Sequence, residues 1–223
     1  MNVPTPTWDG FVRGYHWLQA CSVAGLWYTG TEGLMDWHFT IAYFLLALLL
    51  TRLVWGLIGS ETAQFRHFVH SPTTVIRYLK LLHKKDNQTK QHPGHNPAGG
   101  YMVVVFFVLL SVQLSTGLFA NDDILSEGPF AMYVSGKISS LLTQIHAINF
   151  NLILAAIGLH LGAIFIYLLG KENLIKPMIS GSKALPAGHA PRITNGLLGW
   201  LVFAVFGGVI YIYFAQDIVT YLF

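Results

Sequence analysis

The segment from Ser140 to Leu169 is almost entirely apolar, yet it contains two histidines, His146 and His160, fourteen residues apart. Fourteen residues of α-helix make about four turns, so both imidazoles point to nearly the same face, about 21 Å apart along the axis. A histidine inside a hydrocarbon span is energetically costly and by default marks a functional site. The spacing therefore predicts two cofactor sites at different depths of a membrane.

The composition supports a membrane location and restricts the kinds of cofactor. Hydrophobic residues make up 53% of the 223 residues and charged residues only 10%, whereas a soluble domain usually carries about 25% charged residues. Cys21 is the one cysteine, so the chain can form no internal disulfide or thiolate cluster, and it lacks the two-cysteine signature of covalently bound haem. The net charge of +3 is too small to indicate nucleic-acid binding.

Five apolar segments approach or reach the length that a bilayer core requires. They run from Tyr15 to Thr31, from His38 to Ile58, from Gly99 to Phe119, from Ser140 to Leu169 and from Gly196 to about Phe214. The first is the least apolar of the five. We therefore expect an all-α integral membrane helical bundle, in which residues 1–170 form a four-helix core and residues 171–223 add a cytoplasmic loop and a fifth transmembrane helix.

The basic residues predict how these segments are oriented. Most of them fall in two connections, namely Arg66, Arg77, Lys80, Lys84, Lys85, Lys90, Lys171, Lys176, Lys183 and Arg192. Connections rich in basic residues stay in the cytoplasm, which gives a cytoplasmic amino terminus and a periplasmic carboxyl terminus in a bacterial inner membrane. In the first connection, about residues 60–97, Ser71 and Pro72 are typical of a helix start, and we expect an amphipathic helix on the inner membrane surface.

This orientation sorts four histidines into two pairs. His38 and His146 fall near the periplasmic side and form the outer pair, whereas His16 and His160 fall near the cytoplasmic side and form the inner pair. Each pair could supply both axial ligands of one six-coordinate haem, which suits electron transfer rather than oxygen binding or substrate chemistry. The alternative is that His16 and His38 are interfacial residues and that the intramembrane histidines are proton sites of a transporter.

Three further residues are candidates near the inner pair. Arg13 precedes His16 by about one helical turn, and Arg52 follows His38 by fourteen residues, which returns it to the same face at the inner level. Both arginines are placed to meet the propionates of an inner haem, or they serve only to anchor the topology. His95, in the GHNPAGG segment before the third span, could line a quinone or propionate site, or could merely shape the turn.

Other histidines and several glycines are less informative. We expect the histidines of the cytoplasmic connections to be solvated, namely His67, His70, His83, His92 and His189. Four glycines could leave room for a macrocycle or could simply pack helices together, namely Gly25, Gly30, Gly117 and Gly158.

Several segments resemble the bacterial cytochrome b561-type membrane family. They are WDGFVRGYHW at the start, WHFTIAYFLLALLLTRLVWGLIGSETAQF in and after the second span, GHNPAGG before the third and HAINFNLILAAIGLH in the fourth. The resemblance covers about residues 8–170 and implies a haem-binding four-helix core with two non-covalent b-type haems. It makes His16, His38, His146 and His160 the metal ligands. The fifth span and the longer inner loop depart from the shorter four-span members, which leaves the partner open.

The resemblance implies electron transfer between the membrane quinone pool and a periplasmic partner. Relatives with a GHNP-type segment favour a small c-type cytochrome, whose lysines would suit the acidic outer loop with Asp122, Asp123 and Glu127. Alternatives are a periplasmic hydrogenase or other oxidoreductase that this chain anchors, and superoxide:quinone oxidoreduction. Two places stay open for the quinone, the GHNPAGG turn or the inner ends of spans one and two, near Arg13, Gln19 and Arg52.

Overall fold

The computed structural model describes residues 2–83, 92–122, 126–186, 188 and 190–222, and it is 74% helical. Five residues that the sequence predictions named lie outside the described residues, namely Lys84, Lys85, Lys90, Asp123 and His189. The elements follow in chain order as strand β1 (Asn2–Pro6), helices α1 (Gly10–Thr31), α2 (Met35–Ile58), α3 (Phe65–Phe68), α4 (Pro72–His83), α5 (Pro97–Gly117), α6 (Gly136–Leu169) and α7 (Ile175–Ser180), strand β2 (Ser182–Pro186), and helices α8 (Leu197–Ile210) and α9 (Gln216–Leu222).

Within the described chain, four helices are long and apolar enough to cross a membrane, namely α2, α5, α6 and the continuous helix formed by α8 and α9. A π-helical turn at Tyr211–Ala215 joins α8 to α9. The fifth predicted span therefore ends later than the expected Phe214, because the helix continues through the polar residues Gln216 and Asp217. These helices make the chain a multi-pass membrane protein.

The first predicted span coincides with α1, which has 22 residues and is long enough to cross a bilayer core. It is not among the four apolar spans, since its first half contains Arg13, His16 and Gln19. The expected total of five spans therefore stays a prediction. Predicted spans two, three and four agree with α2, α5 and α6 to within a few residues.

The chain forms two compact units, each of which contains parts of several helices. The first unit comprises Met1–His16, Arg52–Val105 and His160–Leu201, and the second comprises Trp17–Thr51, Phe106–Leu159 and Val202–Phe223. The predicted division, residues 1–170 and 171–223, consists of two continuous segments of the sequence, and it stays a prediction.

In the first unit, the buried carboxylate of Asp9 fixes the start of α1. Its Oδ1 accepts the backbone N–H of Val12 at 2.8 Å, and its Oδ2 accepts the indole N–H of Trp55 at 3.0 Å. The first bond caps a helix end whose N–H groups would otherwise lack partners. The second bond ties that end to α2. The first turns of α1, which carry Arg13 and His16, are thereby held in position.

The first unit also contains a two-stranded antiparallel sheet that the sequence analysis did not predict. Strand β1 pairs with β2, with Asn2 opposite Pro186 and Pro6 opposite Ser182. Proline is uncommon inside strands because it cannot donate to the ladder, so the prolines of these short segments concealed the pairing. The sheet is a small addition to an otherwise helical fold.

Helix α4 confirms the predicted helix start at Pro72. Val75 on this helix is buried, whereas Ile76 and Leu79 are about half exposed, at 53% and 51%. An exposed apolar face on an amphipathic helix suits the surface of a bilayer, and that location stays a prediction.

In the second unit, α2 is packed through two apolar clusters. One cluster contains Tyr43, Ala47, Ile210 and Ala215, and the other contains Leu45, Leu49, Leu110 and Ile153. These contacts join α2 to α5, α6 and the last membrane helix. They fix the two helices that carry the outer pair of histidines.

Candidate functional site

The outer pair lies in the second unit, with His38 on α2 and His146 on α6. The centroids of the two rings are 6.5 Å apart and their planes meet at 63°. An imidazole nitrogen binds a metal ion at about 2 Å, so two imidazoles on opposite sides of one ion have their ring centroids about 6 Å apart. The observed separation fits two axial ligands of one metal.

Hydrogen bonds set the tautomer of both outer histidines. The Nδ1 of His38 lies 3.1 Å from the carbonyl oxygen of Leu26, and the Nδ1 of His146 lies 3.0 Å from that of Gln113. A carbonyl oxygen only accepts hydrogen bonds, so in each ring Nδ1 carries the proton. Nε2 is then the nitrogen with a lone pair, as a metal ligand requires.

A cavity of about 420 Å³ adjoins the outer pair. Both histidines line it, together with apolar side chains that include Leu45, Leu110 and Ile153. Its volume falls in the range of pockets that bind organic cofactors, and such pockets are mostly apolar with few polar groups.

Two of the four singled-out glycines lie against the outer histidine rings. A Cβ atom at Gly30 would meet Cε1 of His38 at 3.2 Å, and one at Gly117 would meet Cε1 of His146 at 3.0 Å. A Cβ at Gly25 would instead meet Ile41 at 3.1 Å, and one at Gly158 would meet none of the described residues within 4 Å. Gly30 and Gly117 therefore leave space for the imidazole rings of His38 and His146. This role differs from both expectations, which were space for a macrocycle and close packing of helices.

The inner pair lies in the first unit, with His16 on α1 and His160 on α6. Their ring centroids are 6.3 Å apart and the planes meet at 53°. This separation nearly equals that of the outer pair. The structure thus brings together the same partners that the topology argument paired, and their role as ligands stays a prediction.

The two arginines near the inner pair differ in their surroundings. Arg52 is only 3% exposed, its Nη2 donates to the carbonyl oxygen of Ala63 at 3.1 Å, and its guanidinium lies 5.5 Å from the ring centroid of Phe65. The Nη1 of Arg13 donates to the carbonyl oxygen of Ile179 at 2.6 Å, while its buried Nε has no hydrogen-bond partner among the described residues. A buried donor without an acceptor is costly, which suits an acidic group at this place.

His95 is enclosed by aromatic rings. Its ring centroid lies 4.7 Å from that of Trp8 in an edge-to-face arrangement and 5.0 Å from that of Phe68. Burial, followed by the charge of Arg52, lowers the pKa of His95 to about 3, so the ring is neutral at physiological pH. His95 therefore belongs to the same unit as the inner pair and is partly buried, and its role with a quinone or propionate stays a prediction.

Other residues near these groups were not predicted from the sequence. Asn96 caps α5 by accepting the N–H of Gly99 at 2.7 Å, and it donates to the hydroxyl of Tyr167 at 2.8 Å. An asparagine directly before a proline at the first helical position is a recognisable start signal. Thr29 and Thr116 were not predicted either. The Oγ1 of Thr29 lies 3.3 Å from Nδ1 of His38, and the Oγ1 of Thr116 lies 3.3 Å from Nδ1 of His146. Each threonine directly precedes a glycine.

A family model described as prokaryotic cytochrome b561 matches residues 7–181. No curated protein matches the chain, and no solved structure does.

Proposed function

We propose that this chain, which belongs to the prokaryotic cytochrome b561 family, moves electrons across a membrane through two b-type haems, one for each histidine pair. Membership of the family means a membrane protein that transfers electrons through b-type haem. The observation that carries the finer proposal is the separation of the rings, 6.5 Å in the outer pair and 6.3 Å in the inner pair.

The residues around the outer pair fit a haem. In the outer pair, Nδ1 of each imidazole is hydrogen-bonded to a backbone carbonyl oxygen, which leaves the lone pair on Nε2 for a metal. The adjoining cavity is largely apolar. A haem iron with two imidazole ligands, when bound, supplies one-electron transfer and keeps no open coordination position for a substrate. The apolar lining of this cavity would favour the haem ring over water, and the helices hold the two rings of each pair at the observed separation.

Arg13 and Arg52 would hold the propionates of the inner haem. Arg52 brings a buried positive charge into the first unit, and Arg13 brings a buried Nε that lacks an acceptor among the described residues. Positive charge near a haem also favours its reduced state, because reduction adds a negative charge. The arginines would thus raise the potential of the inner haem.

The membrane quinone pool and a periplasmic c-type cytochrome are the proposed electron partners. The basic residues of the two connections support a position of the inner pair at the cytoplasmic side of a bacterial inner membrane, under the positive-inside rule. We place the quinone near the inner pair, where Arg13, Arg52 and the neutral, partly buried His95 belong to one unit. The acidic residues Asp122 and Glu127 would attract a lysine-rich cytochrome to the outer side.

Rapid mixing under anaerobic conditions tests this proposal. A short-chain quinol should reduce both haems, and an oxidised small basic c-type cytochrome should then reoxidise them. His146→Ala should abolish delivery to the cytochrome, and His160→Ala should abolish reduction of the outer haem by quinol. If superoxide reduced the haems rapidly while quinol and cytochrome had no effect, superoxide oxidation would replace the proposed function.

A further inference from the structure

The outer histidines are seated by two copies of one helical pattern. On α1 the pattern is Leu26–Gly30, LWYTG, and on α5 it is Gln113–Gly117, QLSTG. Both end in the dipeptide Thr-Gly, which occurs at only these two places in the 223 residues. Each pattern contacts a different member of the outer pair.

The contacts of the two copies agree position by position. The first residue offers its carbonyl oxygen to Nδ1, at 3.1 Å for Leu26 with His38 and 3.0 Å for Gln113 with His146. The threonine Oγ1 lies 3.3 Å from the same Nδ1 in both copies. The final glycine faces the ring, where a Cβ would approach to 3.2 Å in the first copy and 3.0 Å in the second.

The role of each threonine follows from where its own proton goes. The hydroxyl of Thr29 donates to the carbonyl oxygen of Gly25 at 2.8 Å, and that of Thr116 donates to the carbonyl oxygen of Val112 at 2.7 Å. Because each hydroxyl donates its proton to a carbonyl oxygen of its own helix, it can only accept a hydrogen bond from the imidazole. Each Nδ1–H therefore faces two acceptors, a carbonyl oxygen and a hydroxyl oxygen.

We propose that the two Thr-Gly segments orient the outer axial histidines in equivalent ways, and that Thr29 and Thr116 are positioning residues that lower the potential of the outer haem. The proposal rests on the proposed function, since it needs a haem at the outer pair. Acceptors at Nδ1–H make an imidazole a stronger electron donor through Nε2. A stronger donor stabilises the ferric state, so removing an acceptor should favour reduction.

Potentiometric titration of the haem-loaded protein in detergent tests the threonine role. The outer haem is identified as the redox wave that His146→Ala removes. Thr116→Val should increase the ratio of reduced to oxidised outer haem at a fixed ambient potential about three- to tenfold, the size expected for one lost hydrogen bond. Thr116→Ser, which keeps the hydroxyl, should restore the wild-type ratio.

Thr40→Val is the matched control, because the partly buried Thr40 makes the same type of bond, to the carbonyl oxygen of Asp36 at 2.8 Å, and is not hydrogen-bonded to a histidine in the part of the chain that the structure describes. It should move neither haem. An unchanged outer wave in both Thr116→Val and Thr29→Val would overturn the inference, as would an equal shift of the inner wave. Lack of any haem in the wild type would overturn the proposed function as well, whereas two haems with unmoved waves would overturn only the inference.

A second measurement covers variants that do not retain haem. Nitrogen-15 NMR of histidine rings in the haem-free protein reports which ring nitrogen carries the proton. The outer histidines should be protonated at Nδ1 in the wild type, and His146 should lose this preference in part in Thr116→Val. A wild type with the proton mainly on Nε2 would overturn the inference.

Discussion

The imidazoles of His38 and His146 lie with their centroids 6.5 Å apart, although the two residues belong to helices far apart in the sequence. His16 and His160 repeat this relationship at 6.3 Å. Two pairs with nearly equal separations, each in its own compact unit, are the observation that supports the proposal of two separate haem sites. The expected consequences concern haem retention, potential, stability and docking.

Adding one methyl group at Gly117 should selectively weaken the outer haem site. In Gly117→Ala the new Cβ would lie 3.0 Å from Cε1 of His146, so the ring must move away from its bonded position. We expect outer haem retention to fall about tenfold, as for other changes that disturb a ligand's orientation. The measurement is the haem content after gel filtration. Gly207→Ala, whose Cβ meets nothing within 4 Å, should retain both haems, and equal losses in the two variants would contradict the account.

Neutralising Arg52 should lower the potential of the inner haem. Arg52→Gln removes a buried positive charge that would stabilise the added electron. We expect the potential to fall by about 60 mV, which corresponds to a tenfold change for a one-electron couple. Arg52→Lys keeps the charge and should shift the potential much less. Redox titration of the wave that His160→Ala removes provides the measurement. A shift confined to the outer wave would show that Arg52 does not act on the inner site.

Removing the carboxylate of Asp9 should destabilise the fold. Asp9→Ala removes the cap bond to Val12 and the bond to Trp55, and a lost helix cap alone costs about 0.5–2 kcal/mol. The free energy of unfolding in detergent, followed by denaturant titration, should fall by at least that amount. Asp36→Ala, an exposed acid in the first turn of α2, should change it by about 0.5 kcal/mol or less. Equal effects would rule out the capping role.

Electron delivery to a basic c-type cytochrome should depend strongly on salt. At 0.1 M salt, interactions between exposed charges more than about 10 Å apart are largely screened. The proposed attraction involves the exposed acids Asp122 and Glu127. The second-order rate of haem oxidation should therefore fall steeply with ionic strength, and Asp122→Asn should make the fall shallower. Lys137→Gln serves as the opposite-sign control on the same predicted side and should raise the rate. A rate independent of salt would eliminate charge-guided docking.

The helical membrane fold could be predicted from the sequence because each span depends mainly on its own composition. Spans two to four were placed within a few residues, and the start of α4 was found from Ser71 and Pro72. The end of the last helix was placed too early, because a helix can continue through polar residues such as Gln216. The pairing of β1 with β2 was missed, since it joins distant, proline-containing segments without a hydrophobic pattern.

The site was predictable in its histidines and not in its supporting contacts. His38 and His146 could be paired by depth, because charge distribution and helix geometry both act through sequence position. The carbonyl oxygens of Leu26 and Gln113 could not be predicted, since every residue has one and only the packing selects them. The enclosure of His95 between Trp8 and Phe68 likewise depends on three separate segments meeting in the fold.

The haem-to-protein ratio of the purified chain, determined by pyridine haemochrome and quantitative amino-acid analysis, tests directly whether each histidine pair binds one haem. We expect two b-type haems per chain in the wild type and one in both His146→Ala and His160→Ala. The exposed His67 lies outside both pairs, so His67→Ala should retain two. One haem or none in the wild type, or the loss of both haems in His67→Ala, would contradict the assignment of one haem to each histidine pair.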